Sequence, residues 1–371
     1  MGGGKLEKLT MPKWGLAMTH GTVIDWLVDE GAPIDVGTQL VEVETEKING
    51  VVESTLAGTL RRQVAKAGDQ VPVSGLLAVV GDEAVPADQI DRFVEEQAAD
   101  LAAEQAKVDQ VAPQTVQVGD RAIRYLKRGE GGEALVLIHG FGGDLNNWLF
   151  NHEALAENYT AYALDMPGHG GSSKNVGDGS VETLAESVGG FLEAVGLERA
   201  HLVGHSLGGA VSMALALSRP ACIQSLTLIA SAGLGPQIDH EYIDGFISAG
   251  RRNQLKPVLA KLFADPASLT RQMVEDILKF KRLDGVQGAL ETIAQQLVKD
   301  GAQAINYRDQ LSQIGVPIQV LWGAKDRIIP ATHAEGLPSS VQARIVDGCG
   351  HMAPMESASE VNQVIGAMVG G

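Results

Sequence analysis

Through residues 1–82, apolar and polar side chains alternate in short runs rich in Val, Thr and Gly, the period-two pattern of half-buried strands. The pattern repeats. Gly21-Thr22-Val23 returns as Gly58-Thr59-Leu60, and the same offset of 37 residues (58 − 21) separates Gly31 from Gly68, Val36 from Val73 and Leu40 from Leu77. Two copies of a short four-stranded unit predict a small all-β barrel or sandwich with a two-fold. Between the copies, Val43-Glu44-Thr45-Glu46-Lys47-Ile48-Asn49-Gly50-Val51 places charged and Asn-Gly residues between apolar runs, which reads as a hairpin with Lys47 at its tip. Residues 83–112 change texture: eight acids stand against two bases among many alanines, the composition of a solvated, partly helical linker. From 113 to 371, apolar strand-like runs alternate with helical stretches, the mark of an α/β domain. Residues 231–312 fall between two strand-like runs, and their helical runs, such as Tyr242 to Ala249 and Met273 to Phe280, read as an inserted cap of about that extent.

Two strand-to-glycine junctions stand out in the third segment. Leu135 to Ile138 runs into His139-Gly140-Phe141-Gly142-Gly143, and His201 to Val203 runs into Gly204-His205-Ser206-Leu207-Gly208-Gly209, followed by a helix former from Ala210 to Leu217. Gly-X-Ser-X-Gly between strand and helix is a tight, strained turn that projects a serine, because side chains flanking it would collide. A later strand, Val316 to Trp322, leads to Asp326, and a short strand and turn from Ala343 lead to Gly350-His351. Asp326 and His351 thus follow Ser206 in the chain, each just after a strand-like run.

Composition bounds the rest. The chain has 371 residues, 44% apolar, with 29 basic against 46 acidic side chains, a net charge of −17. That sign argues against a nucleic-acid partner. No apolar stretch approaches the roughly 18 residues of a membrane helix, the start lacks a signal peptide's apolar core, and two cysteines, Cys222 and Cys349, give neither a disulfide framework nor metal-ligand spacing. A reducing cytoplasm is the expected setting, with no bound metal. His139 and His205 read as packing and turn residues, His169 and His333 as loop residues without partners, Asp165 as a loop-shaping carboxylate and Cys349 as a small buried residue. Arg251, Arg252, Lys256 and Lys261 cluster within the cap, as a solvated helix face or a contact for phosphates.

Met11-Pro-Lys-Trp-Gly-Leu, Gly31, Gly37 and Glu44-Thr45-Glu46-Lys47 together resemble the lipoyl domain of 2-oxo acid and acetoin dehydrogenase complexes over about residues 7–82. The resemblance implies lipoic acid in amide linkage on Lys47. The related biotin carriers flank their lysine with methionines, where this chain has Glu46 and Ile48. Residues from about 115 to 371 resemble the α/β-hydrolase family through five motifs in order, Asp165-Met-Pro-Gly168-His-Gly-Gly-Ser172 among them. That implies Ser206 as nucleophile, His351 as base, Asp326 as its orienter, and the backbone N–H groups of Phe141 and Leu207 as an oxyanion hole. His240-Glu-Tyr-Ile-Asp244-Gly245 fits the His-X-X-X-Asp-Gly motif of ordinary lipoyl-linked acyltransferases, but it lies in the cap of a different fold and reads as coincidence.

A lipoyl domain (1–82), a linker (83–112) and an α/β-hydrolase domain (113–371) in one chain are similar to the acyltransferase subunits of acetoin dehydrogenase complexes. The likeness implies transfer of an acetyl group from the arm on Lys47 to coenzyme A, whose phosphates Arg251 and Arg252 would contact. It implies thiamine-dependent acetoin-cleaving subunits and a flavin-dependent dihydrolipoamide dehydrogenase as partners, and a homo-oligomer. Two mechanisms stay open, an acetyl-Ser206 intermediate and direct thiol-to-thiol transfer. An esterase or thioesterase carrying a lipoyl domain, or a scaffold with a vestigial site, are the alternative functions.

Overall fold

The alternation of the first segment becomes eight short strands: β1 (Leu6–Thr10), β2 (His20–Trp26), β3 (Pro33–Ile34), β4 (Gln39–Glu44), β5 (Asn49–Glu53), β6 (Gly58–Gln63), β7 (Gln70–Pro72) and β8 (Leu76–Gly81). This computed structural model describes residues 5–12, 20–44, 49–110 and 112–370. The strands form two antiparallel four-stranded sheets, ordered β1-β8-β6-β3 and β5-β4-β2-β7, around Leu9, Val23, Leu40, Val43, Leu60 and Leu77. The sequence repeat is also a hydrogen-bond repeat. Gly31 N–H donates to the Leu60 carbonyl at 2.7 Å, and 37 residues on, Gly68 N–H donates to the Val23 carbonyl at 2.8 Å. Gly31 and Gly68 share a left-handed backbone, φ 89° and 92°, which only glycine adopts without strain. Strands β4 and β5 pair with Glu44 opposite Asn49. Lys47 lies between them in 45–48, outside the described residues, as do residues 13–16 of the Met11 motif.

The segment 83–112 is mostly one 24-residue helix, α1 (Ala87–Gln110). Its start belongs to the sandwich: Ile90 is buried with Val79 and Val85, and Asp91 pairs with Arg62 at 2.8 Å. The chain divides into Met1–Gln110 and Val111–Gly371. Among the described residues, no helix is long and apolar enough to cross a membrane.

The second unit holds β9 (Gln114–Val118), β10 (Arg121–Arg128), β11 (Ala134–Ile138), β12 (Thr160–Leu164), β13 (Ala200–His205), β14 (Ile223–Ile229), a two-strand hairpin β15 (Val298–Lys299) and β16 (Ala302–Gln303), β17 (Ile318–Gly323) and β18 (Val341–Val346). Eight of these form one sheet, ordered β18-β17-β14-β13-β11-β12-β10-β9; the six from β18 to β12 run parallel, β10 runs antiparallel to β12, and β9 runs antiparallel to β10. Parallel strands covered on both faces are near-continuously apolar, and here successive residues divide between two cores. Val136, Ile138, Leu202, Leu226 and Val320 pack with α3 (Val181–Ala194) and α4 (Leu207–Ser218). Leu135, Leu137, Val203, Ile229 and Leu321 pack with α2 (Leu149–Ala156) and α10 (Ala358–Gly370). Helices α5 (His240–Ser248), α6 (Arg252–Ala260), α7 (Arg271–Lys281) and α8 (Val286–Leu297) lie between β14 and β17, and a short α9 (Ala353–Glu356) precedes α10.

Candidate active site

The turn from β13 into α4 holds Ser206 at φ 53°, ψ −116°, a conformation costly for a non-glycine residue. Its neighbours leave no room for side chains. A Cβ on Gly204 would lie 2.3 Å from the Gly208 carbonyl oxygen, and one on Gly208 would lie 2.2 Å from that of Ile138. The backbone N–H of Leu207, first residue of α4, and of Phe141, after β11, have no hydrogen-bond partner among the described residues. Both N–H groups of the expected oxyanion hole are therefore free to donate.

Asp326 follows β17 and His351 follows β18, so neighbouring strands deliver both. His351 Nδ1 donates to Asp326 Oδ2 at 2.8 Å, with the aspartate side chain fully buried and the histidine 3% exposed. Asp326 Oδ1 accepts from the backbone N–H groups of Ile328 (2.8 Å) and Ile329 (3.0 Å), and Oδ2 takes a further N–H from Trp322 Nε1 at 3.1 Å. Four donors fix the carboxylate's orientation, and with it the tautomer and plane of the imidazole. No hydrogen bond joins Ser206 Oγ to His351 Nε2 among the described residues; such bonds often tighten only with substrate present.

His205, read from sequence as a turn residue, also touches His351. Its Nε2 donates to the His351 carbonyl at 2.9 Å and its ring lies 4.8 Å from the His351 ring. Burial, reinforced by His351, holds its pKa down at about 3, so it is neutral beside the His351 ring. His139 is fixed from both nitrogens: Nδ1 donates to the Gly140 carbonyl at 2.8 Å and Nε2 accepts the Met166 N–H at 3.0 Å, with burial lowering its pKa. His169 and His333 do have partners, contrary to the sequence expectation. His169 donates to the Pro167 carbonyl and its ring meets that of His139 at 4.9 Å. His333 donates to Gln237 Oε1 at 2.6 Å and its ring packs edgewise on Trp322. Asp165 shapes its loop, accepting from the N–H groups of Leu145 and Gly171 and from Arg124.

The cap closes on this cluster. Phe246 of α5 meets Phe141 edgewise at 5.8 Å, and a Cβ on Gly142 would strike its ring at 2.4 Å. Lys281 fastens the end of α5 by donating to the carbonyls of Phe246, Ile247 and Ala249. Of the four cap cations, Lys261 pairs with Asp239 at 2.7 Å, whereas Arg251, Arg252 and Lys256 are exposed and form no ion pair among the described residues. His240 is exposed at the start of α5. Cys349 is buried, and burial pushes its thiol up to about 11, far from a nucleophile's range.

An eight-stranded sheet with its serine on a strand-to-helix turn defines an α/β-hydrolase: residues 133–358 match the alpha/beta hydrolase fold family, and residues 7–80 match the family described as biotin-requiring enzyme. A crystal structure of a membrane phospholipase A, a bacterial virulence factor, superposes with a TM-score of 0.62 at 28% identity, covering 76% of this chain and 98% of that one. Two relatives extend the match to both units. The dihydrolipoyllysine-residue acetyltransferase component of the acetoin cleaving system of Pseudomonas putida is 48% identical over 363 residues, 97% of each chain. Its counterpart in Cupriavidus necator is 44% identical over 365 residues, 98% of this chain and 97% of that one. The chain belongs to this family of dihydrolipoyllysine-residue acetyltransferases, components of acetoin cleaving systems.

Proposed function

We propose that Ser206, His351 and Asp326 are the catalytic triad that passes an acetyl group from a lipoyl thioester to coenzyme A. The observation that carries this reading is the 2.8 Å bond from His351 to a carboxylate held by three further donors, on the loops that follow β18 and β17 in the sheet whose β13 leads into the serine's turn. Lys47 would hold the lipoyl group through its amine, and that group supplies a thiol that carries acyl units as thioesters. The fit rests on β4 and β5, whose pairing leaves 45–48 as their connection, with a lysine as the acylable residue.

His351 takes the proton of Ser206 Oγ as the oxygen attacks the thioester carbonyl. The free N–H groups of Phe141 and Leu207 receive the oxyanion; one such donor is typically worth about 2.7–4 kcal/mol in the barrier. Asp326 stabilises the imidazolium, and neutral His205 adds no competing charge. The imidazolium returns its proton to the departing thiol, leaving acetyl-Ser206. The thiol of coenzyme A then attacks with His351 again as base. Arg251 and Arg252, unpaired at the start of α6, would meet its phosphates. Thiamine-dependent acetoin-cleaving subunits would supply the acetyl group and a flavin-dependent dihydrolipoamide dehydrogenase would reoxidise the arm.

Free acetyl-dihydrolipoamide given to the full chain with and without coenzyme A tests this. Acetyl-coenzyme A as product, lost in Ser206→Ala, supports it. Acetate formed at equal rates with and without coenzyme A marks an esterase or thioesterase instead.

A further inference from the structure

We infer that Glu356 is a positioning residue that fastens the cap over the His351 loop and thereby directs the acyl group to a thiol rather than to water. The inference rests on the serine mechanism above. Glu356 ends α9, five residues after His351, and spends each carboxylate oxygen on a different piece of chain. Oε1 accepts the Ala264 N–H at 2.7 Å, in the cap, and Oε2 accepts the Gly350 N–H at 2.9 Å, beside the base. Two more ties reach the same short stretch of cap. The Leu262 carbonyl accepts from the N–H groups of His351 (2.9 Å) and Met352 (3.2 Å). Arg327, next to Asp326, donates to the carbonyls of Ala260 and Phe263.

Residues 260–264 are thus held by the loops of both the base and its carboxylate. They run in contact with the base's loop: a Cβ on Gly350 would lie 2.5 Å from Ala264 N and 2.9 Å from the Leu262 oxygen. Beneath, Ser206 is 8% exposed and His351 3%. Only a carboxylate supplies two acceptors to two N–H groups in this geometry. Glutamine would turn an NH₂ toward one of them, and charge-assisted bonds are about twice as strong as neutral ones.

The fate of acetyl-Ser206 depends on what reaches it. With a thiol, the S–C bond forms, the C–Oγ bond breaks, and the thiol proton passes through His351 to Ser206 Oγ. With water, an O–C bond forms in its place and acetate leaves. Both routes use the same base, so access decides between them. Loosening the 260–264 stretch admits water without removing any reacting group.

The test feeds acetyl-dihydrolipoamide and coenzyme A to the full chain and measures acetyl-coenzyme A and acetate together. In Glu356→Gln the acetate-to-acetyl-coenzyme A ratio should rise about tenfold, the scale of losing one buried charged hydrogen bond, with melting followed to confirm a folded protein. Gly350→Ala reaches the same contact by pushing on Ala264 and should raise the ratio as well; it decides the matter if Glu356→Gln does not fold. An unchanged ratio in the folded variants overturns the role of Glu356 while leaving the triad intact. Normal acetyl-coenzyme A production by Ser206→Ala overturns the serine mechanism and this inference with it.

Discussion

In the sandwich, Gly31 and Gly68 perform one task in two places, accepting the same left-handed turn and donating to equivalent carbonyls of Leu60 and Val23. In the α/β unit the site has no such duplication. Phe141, Ser206, Asp326 and His351 come from four separate turns and loops, Glu356 ends the short helix after His351, and each makes contacts that none of the others makes. The histidines divide in the same way. Of nine, His20 alone is in the sandwich, and six of the eight in the α/β unit have pKa values lowered chiefly by burial. A carrier needs a stable frame for one attachment point, which repetition supplies cheaply. A catalytic centre needs different groups converging on one carbonyl, which requires long-range contacts and buried polar side chains.

The largest expected effect separates the two regions chemically. Ser206→Ala should cost on the order of 10⁶-fold in turnover of free acetyl-dihydrolipoamide while leaving the lipoyl mass increment on Lys47. Lys47→Arg should show the converse: no lipoyl increment by intact mass and no flux through an assembled system, with the free donor still turned over. If Lys47→Arg abolished turnover of the free donor, the division of labour would fail.

Acid should separate them thermodynamically. The six histidines whose pKa burial lowers are neutral in the fold and charge in the unfolded chain below the ordinary value of about 6.5. Unfolded chain then binds more protons than folded, so stability of the α/β unit is full above that value and falls as pH drops toward the lowered ones. His205 alone, held at about 3, should cost about 2 kcal/mol between pH 7 and pH 5. Calorimetry at the two pH values should show the α/β transition moving down well beyond that of the sandwich. Equal shifts would erase the contrast.

The smallest effect concerns the repeat. No atom lies within 4 Å of a Cβ placed on Gly31 or Gly68, so alanine at either pays only for its backbone, about 1–2 kcal/mol. Denaturant unfolding of the two variants should give matching losses; unequal ones would mean the copies bear different loads.

What was legible in the sequence was local. The elbow glycines announce Ser206 because steric demand acts on adjacent residues, and the repeat announces the sandwich because the same turns recur at fixed spacing. What escaped depends on distant pairing. His205 meets the carbonyl of His351, 146 positions away, and His333 meets Gln237 at 96. Trp322 was visible as a strand residue, but its donation to Asp326 depends on how the loop after β17 folds back. Glu356 joins α9 to the cap 92 residues earlier, and no spacing of residue types encodes that. The acidic composition of 83–112 suggested solvation; the packing on Val79 that draws the start of α1 into the sandwich rests on a few apolar side chains, Val85, Ile90, Phe93 and Val94, that composition averages away.

The two-fold of the sandwich bears on how a load is hung from it. Moved by the repeat offset of 37, Glu44 at the end of β4 falls on Gly81 at the end of β8. The first copy turns back there into β5, and the second copy departs there toward α1. The proposed cargo and the tether therefore occupy symmetry-related corners of one frame and never share one. The Ile90 and Arg62–Asp91 contacts spread a pull on α1 over β8 and β6, strands that do not flank the 45–48 connection, so the anchoring of the domain and the presentation of its proposed passenger are free to change independently.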